Sequence, residues 1–442
     1  MDKKLISDNQ QINKSLKNSF RDGIFASAMN GFTQDYFTPF LLLLGGTAGQ
    51  VGILNALPNF FAALVQLKTA DVVERLRSRK IIINTFVLLQ ALMLLPMAII
   101  ALYGGVRPAF FIAVVILFSS FGAFATSAWG SLMSDHVPEH KRGEYFGWRN
   151  KILGFIVLVF TFIAGFVLNK LHTQNIFYGF AIIFSLAFIF RMFSWFFLTR
   201  MHEPPLEYKE ENRFTLVDFL SRLKKSNFAQ FVLFIAMMNF SVNLASPFFA
   251  VLMLEDLHFS YMQYSIITIA AVFTLYSMIS RWGRLADKFG NLRIIKFVSP
   301  LIGIIPFLWI LNRNPLFLFL AQLVSGLVWS GFNLCATNFI YDAVTPEKRT
   351  RCISYFNVFN GLALCCGALL GGFLLQRLPP LLGYKILSLF LISFILRMLV
   401  GIFMPMKLKE VRLVQGVSNR DLFLSVIGIK PLLGIERKTI RH

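Results

Sequence analysis

Apolar runs of roughly 20 residues recur from one end of this chain to the other, separated by short polar gaps. That is the length an α-helix needs to cross the hydrocarbon of a bilayer at about 1.5 Å per residue. Hydrocarbon offers no water to satisfy backbone N–H and C=O groups, so runs of this kind fold as helices. The pattern predicts an all-α polytopic membrane protein and excludes a string of soluble domains. Composition agrees: 56% of the residues are hydrophobic, 50 are Phe, and only 15% are charged, where a soluble domain carries about 25%.

The spacing predicts twelve transmembrane helices, α1 to α12, over residues 23–44, 51–70, 81–102, 108–134, 146–169, 176–198, 228–254, 261–279, 294–311, 315–341, 353–375 and 384–404. They group into six-helix bundles over 22–198 and 228–405, with an N-terminal tail over 1–21, a linker over 199–227 and a basic tail over 406–442. In the linker, Phe214, Leu216, Val217, Phe219, Leu220 and Leu223 alternate with Asp218, Arg222 and Lys224, the pattern of an amphipathic helix on a membrane surface. No cleavable signal peptide is visible in the polar first 20 residues, so the first apolar run is expected to remain as an anchor.

A net charge of +21 would suit a nucleic-acid binder, but its placement excludes that reading. Of 43 Lys and Arg, 36 lie in the two tails and in alternate gaps, while the opposite gaps hold 5. Such a bias sets orientation, so both termini are expected in the cytoplasm, with the protein in the inner (plasma) membrane and its basic faces against anionic lipid. The four cysteines show no metal or disulfide spacing. Neither a phosphate loop nor a nucleophile triad appears, so no cofactor and no enzymatic activity are expected.

The two halves repeat. Thr38-Pro39-Phe40 answers Ser246-Pro247-Phe248, and Asp135 with Pro138-Glu139 and Lys141-Arg142 answers Asp342 with Pro346-Glu347-Lys348-Arg349. Tyr145-Phe146 and Asn150 answer Tyr355-Phe356 and Asn360, and Arg191-Met192 answers Arg397-Met398, all at offsets of 206 to 210. Two six-helix halves in parallel repeat form a transporter architecture, with a site near the bilayer midplane.

One polar stretch stands out between two apolar runs: Gly283-Arg284-Leu285-Ala286-Asp287-Lys288-Phe289-Gly290-Asn291-Leu292-Arg293. It reads as a charged loop whose Gly and Ala allow two helices to approach closely. A degenerate copy, Thr69-Ala70-Asp71-Val72-Val73-Glu74-Arg75, lies one half-chain earlier. Gly-x-Leu-Ala-Asp-Lys-x-Gly, the Pro-Glu-x-Lys-Arg segments and the helix count together resemble the major facilitator superfamily of transporters over residues 20–405. The resemblance implies transport of a small molecule by alternating access, the two halves rocking about a central site in a monomer. It also implies a latch at the cytoplasmic face, carried onto Asp71, Gly283, Asp287, Lys288, Gly290 and Arg293, with Arg142 and Arg349. In the first copy Leu67 and Thr69 stand where the second has Gly283 and Leu285, which predicts a weaker latch there.

The candidate site residues follow from polarity inside apolar runs. In α1, Ser27, Asn30, Gln34 and Thr38 form one stripe, with Asp35 beside it, about 20 Å from Arg21. Asp35 is read as the only acidic residue well inside a helix. An ionised carboxylate there costs on the order of 3 kcal/mol or more. It therefore faces a cavity or a partner, and three roles stay open: proton coupling, counter-ion for a cationic substrate, or a structural bond. Asn239 and Asn243 give the matching stripe on α7, and Gln322, Trp329 and Asn333 one on α10, with Trp129 on α4. The amides are expected to line a cavity; the Trp rings either stack on substrate or fill the core. Arg191 and Arg397 are expected to snorkel or to brace the inner gate, and Arg149 and Lys151 to pair with the latch or draw in an anion.

The α5 run Gly154-Phe155-Ile156-Val157 lacks the Pro of drug–proton antiporters in that superfamily, and no His lies inside a helix. The reading is a secondary active transporter, proton-coupled and driven by an ion gradient. The alternative is a non-transporting membrane receptor or lipid-handling protein on the same fold.

Overall fold

The computed structural model describes residues 2–76, 78–137, 142–204, 226–344 and 346–411. The expected amphipathic linker helix and the tail past residue 411 lie outside the described residues. Within them the chain is helical apart from turns and one isolated bridge, Leu381 to Tyr384.

The first helix, α1, runs Asp2–Thr33, passes a 3-10 turn at Gln34–Tyr36 and resumes over Phe37–Leu43. Next come α2, Ala48–Leu76, and α3, Arg79–Leu92 continued as Leu94–Tyr103. The fourth, α4, is Pro108–His136. Helices α5 and α6 share one run, Arg142–Thr199, divided by the single non-helical residue Asn175 at φ −160° and ψ 104°. Then α7 comprises Asn227–Asn243, Phe248–Val251 and a π-turn Leu252–Asp256. The last five are α8 Tyr261–Phe289, α9 Asn291–Leu311, α10 Pro315–Ala343, α11 Pro346–Arg377 and α12 Lys385–Met406. Eleven of the described segments are long and apolar enough to span a membrane. The twelfth helix, α1, is not among them; it carries the polar stripe.

Two differences from expectation have physical causes. The charged loop between α8 and α9 shrinks to one residue. Arg284, Asp287 and Lys288 continue α8, because charge does not end a helix that has already left hydrocarbon. The chain turns only at Gly290, whose φ of +88° is a conformation glycine adopts without strain. Asp71 likewise sits within α2. The second difference is that α1 and α7 are interrupted. Each break lies just before a repeat proline, Pro39 or Pro247. A proline lacks the N–H and crowds the carbonyl four residues back, here that of Asp35 or Asn243.

Cα packing defines two compact units. Unit 1 is Met1–Glu210 with Ser246–Ile269 and Leu364–Arg377; unit 2 is Glu211–Ala245, Ala270–Ala363 and Leu378–His442. Unit 1 thus takes in the ends of α7, α8 and α11 remote from their Lys- and Arg-rich ends. Its core is aromatic: Phe40 meets Phe111 at 4.9 Å and Phe184 at 5.2 Å, both edge to face, an arrangement worth about 1 kcal/mol per pair beyond burial. Unit 2 packs Phe231 on Phe339 at 4.3 Å and encloses Trp282 and Trp309. Side chains such as Phe110, Leu117, Phe273 and Leu320 stay exposed, as surfaces that meet lipid must.

Candidate functional site

The break in α1 creates a polar point in the interior of unit 1. Pro39 deprives the Asp35 carbonyl of its helical donor, and the Tyr264 hydroxyl donates to it instead at 2.6 Å. One residue on, the Tyr36 hydroxyl reaches the Thr161 carbonyl at 2.6 Å and the Ser265 hydroxyl at 2.7 Å. Ser265 is seated against Gly165, where an added Cβ would overlap its hydroxyl. So α1, α5 and the first turns of α8 are tied together by the backbone and side chain of consecutive residues. The Asp35 carboxylate is half-buried and takes no hydrogen bond or ion pair among the described residues. Around it, Asn30 is half-buried, Gln34 is exposed, and Asn55 of α2 donates to Thr38 at 3.4 Å.

Deeper toward the basic end lies a charged cluster the sequence reading missed. Asp22, 5% exposed, accepts from Ser194 at 2.6 Å, and Ser194 accepts from Arg191 at 2.9 Å. Arg191 also donates to Gln90 at 2.5 Å. Arg149 lies 4.0 Å from the same Asp22 and donates to the Ser19 carbonyl at 3.2 Å. Its guanidinium covers the Trp129 ring at 4.5 Å, a cation–π contact. Asp35 is therefore not the only buried acid on α1, and Arg191 does not snorkel. Nothing in the sequence around Asp22 announced this, since its burial depends on where α5 and α6 carry Arg149 and Arg191.

Unit 2 gathers amides. Asn239 donates to Asn360 at 2.6 Å and Asn243 to the Asn239 carbonyl at 3.3 Å. Gln322 is half-buried, Asn333 exposed, and Trp329 packs edge-on to Phe332 at 5.5 Å. Arg397, 2% exposed, donates to Ser393 at 2.9 Å and to the Val242 carbonyl at 3.1 Å. Ser393 donates to the Ser241 carbonyl at 2.7 Å. The guanidinium thus serves carbonyls beside the break in α7.

The expected latch residues lie at the basic ends of the helices. Asp287 is exposed, Lys288 and Arg293 are half-buried, and a Cβ on Gly283 would meet only Leu334 at 3.7 Å. Gly283 therefore marks no close approach, contrary to its reading from sequence. The side chains of Asp71, Arg142 and Arg349 lie outside the described ones. Arg79, 2% exposed, pairs with Asp135 at 2.7 Å and Glu203 at 3.5 Å. Glu203 also accepts from Ser78, from the Arg79 N–H at 2.6 Å and from the Lys80 N–H at 3.3 Å. Burial pushes the Glu203 carboxyl up, but Ser78, those two N–H groups and the Arg79 guanidinium together hold it below its ordinary value. In unit 2, Asn291 donates to Asp342 at 2.8 Å and the Leu292 N–H to Glu410 at 2.7 Å. Glu203 and Glu410 are 207 residues apart, the spacing of Asp135 and Asp342, so the repeat itself carried the signal. Among the described residues no three His, Cys, Asp or Glu side chains gather as a metal site.

Comparison with known proteins agrees with this geometry. The family model described as Major Facilitator Superfamily matches residues 23–311 and, overlapping them, 230–419. Among solved structures, the nucleoside transporter NupG matches at 15% identity with a TM-score of 0.66, covering 90% of this chain and 100% of that one. A mutant of NupG matches at 15% identity and a TM-score of 0.69, covering 88% and 98%. A bacterial homologue of the human lysosomal transporter Spinster, inward-facing and unoccupied, matches at 14% identity and 0.61, covering 83% of each chain. At such identities the likeness is one of fold. No curated protein matches the chain in sequence.

Proposed function

Because the chain belongs to the major facilitator superfamily, a family of membrane transporters, we propose that it is a secondary active transporter that moves a small molecule by alternating access, coupled to protons through Asp35. Its basic ends face the cytoplasm in this reading, as the Lys and Arg bias requires.

One observation carries the coupling. Among the described residues the Asp35 carboxylate has no partner at the break in α1, while the carbonyl of the same residue is held by Tyr264 of α8. Titration of the carboxylate and release of α8 therefore act on a single peptide unit. The bonds from Tyr36 and Tyr264 close unit 1 at the end away from the basic face. Each is worth about 1 kcal/mol net, strong enough to bias an equilibrium and weak enough to be broken in a transport cycle. Asn30 and Gln34 beside Asp35, and the Asn239–Asn360 pair with Asn243 in unit 2, offer amides to a polar substrate. Of the three roles the sequence left open, a structural bond has the least support, since the carboxylate makes none among the described residues.

A ligand for assay comes first from thermal stabilisation of the detergent-purified protein, against lipophilic cations, sugars, carboxylates, amino acids and nucleosides. Transport is then measured in proteoliposomes. Asp35→Asn should abolish accumulation driven by a pH gradient and spare counterflow exchange. Accumulation in Asp35→Asn that keeps the parent's rate and pH dependence would remove Asp35 from the coupling mechanism.

A further inference from the structure

The basic end of unit 1 holds a cavity of about 500 Å3, within the range of small-molecule sites. Lys14 reaches it from the first helix, Lys80 from the first turn of α3, and Arg200 and His202 from just past α6. One carboxylate, Glu203, lies in its wall. Both Glu203 oxygens are already engaged by Ser78, by the N–H groups of Arg79 and Lys80 and by the Arg79 guanidinium. Lys14, Lys80 and Arg200 have no acidic partner among the described residues. Among the described residues the cavity is thus lined by cations whose one nearby anion, Glu203, is spent on other bonds.

Its surroundings indicate what the anion is attached to. The Arg200 guanidinium lies over the Phe196 ring at 4.0 Å. Phe196 is 42% exposed and Ile81, next to Lys80, is 54% exposed. The Trp195 indole N–H donates to the Asn84 carbonyl at 3.1 Å, so α3 and α6 run side by side here. The cations therefore stand at the border where the exposed apolar surface of these two helices gives way to the polar end. That is the depth of a lipid phosphate, with apolar wall on one side for acyl chains.

We propose that this cavity is a phosphate-binding site for the headgroup of an anionic phospholipid, with Lys14, Lys80 and Arg200 as its ligands. Phe196 and Ile81 flank the chains. The site differs from the transport site in place and in chemistry. It adjoins the Glu203 knot, so an occupied site also braces the N-terminus of α3 against the end of α6.

The test uses the full chain purified in detergent and follows thermal unfolding while dioctanoyl phosphatidylglycerol, dioctanoyl phosphatidylcholine or glycerol 3-phosphate is added. The expected result is stabilisation by phosphatidylglycerol at about tenfold lower concentration than by phosphatidylcholine, no response to glycerol 3-phosphate, and weakening in high salt. Lys14→Gln/Lys80→Gln/Arg200→Gln should need roughly 100-fold more phosphatidylglycerol, whereas Lys14→Arg/Lys80→Arg should respond like the parent. If the triple variant does not fold, Lys14→Glu alone, an exposed change, should weaken the response about tenfold. Equal effects of the two lipids, or an undiminished response in the triple variant or in Lys14→Glu, would overturn the site. A glycerol 3-phosphate response as strong as that to phosphatidylglycerol would overturn the lipid assignment and leave a soluble phosphate ester as the occupant.

Discussion

Arg191 and Arg397 occupy matching places in the two sequence repeats, six to nine residues from the basic ends of α6 and α12, and each is buried. Their partners differ in kind. Arg191 works through Ser194 to a carboxylate, Asp22, and reaches Gln90 directly. Arg397 has Ser393 and the Val242 carbonyl. At the basic ends Arg79 pairs with Asp135 in unit 1, and Asn291 donates to Asp342 in unit 2. The first half balances charge with charge. Among the described residues, Arg397 in the second half is balanced by dipoles, the Ser393 hydroxyl and the Val242 carbonyl beside the break in α7. A shared fold therefore fixes where a cation must be accommodated but not what accommodates it. The first half is also the one that should respond most to loss of a single acidic group.

The strongest way to break that comparison is to remove Asp22. Asp22→Ala leaves two buried arginines with one fewer counter-charge and should destabilise the protein by about 3–5 kcal/mol. Asp22→Ala with Arg191→Gln should recover a good part of the loss, because the two residues are coupled. Denaturant unfolding in detergent measures both. Next in size is a matched pair of substitutions. Arg191→Met leaves buried Asp22 with Ser194 and the more distant Arg149 alone and should cost about 3 kcal/mol. Arg397→Met removes a buried charge along with its bonds and should cost less than about 2 kcal/mol. Equal losses would mean the two arginines are held alike after all.

The smallest expected effect sharpens the contrast at the basic ends. Glu203→Gln should cost about 1–2 kcal/mol, and Glu410→Gln, whose carboxylate holds one N–H of a distant helix, Leu292, besides that of its neighbour Val411, about half that. Glu203 also sets a sign. Its folded value lies below the ordinary 4.5, so its stabilisation is present above that pH and is lost as pH falls through the folded value. Acid titration of stability should therefore be shallower in Glu203→Gln than in the parent. An unchanged profile would show that other carboxylates dominate the acid limb.

Much of this was legible in the chain because hydrophobic length is a local property. The apolar runs placed the helices, and Pro39 and Pro247 marked both repeats, though not as breaks. Asp35 stood out as an acid in apolar surroundings. Helix ends were less legible: Arg284, Asp287 and Lys288 are as content in a hydrated helix as in a loop. Asp22 was illegible for another reason. Its burial depends on where α5 and α6 carry Arg149 and Arg191, and no single stretch contains that information. Glu203 and Glu410 were visible as a repeat pair but follow the last apolar residues, where nothing local announces a cap for a distant helix.

Asn175 also bears on how the protein is made. A continuous helix over Arg142–Thr199, 58 residues, would extend about 87 Å, nearly three times the hydrocarbon thickness. Instead the chain doubles back at one residue, close enough that a Cβ on Gly179 would lie 3.1 Å from Leu168. Nothing between the two spans can wait in water while the second is still on the ribosome. Helices α5 and α6 must therefore enter the bilayer as one hairpin, tip first. An epitope inserted at Asn175 should block biogenesis, whereas the same insert in the four-residue gap at 104–107 between α3 and α4 should be accepted.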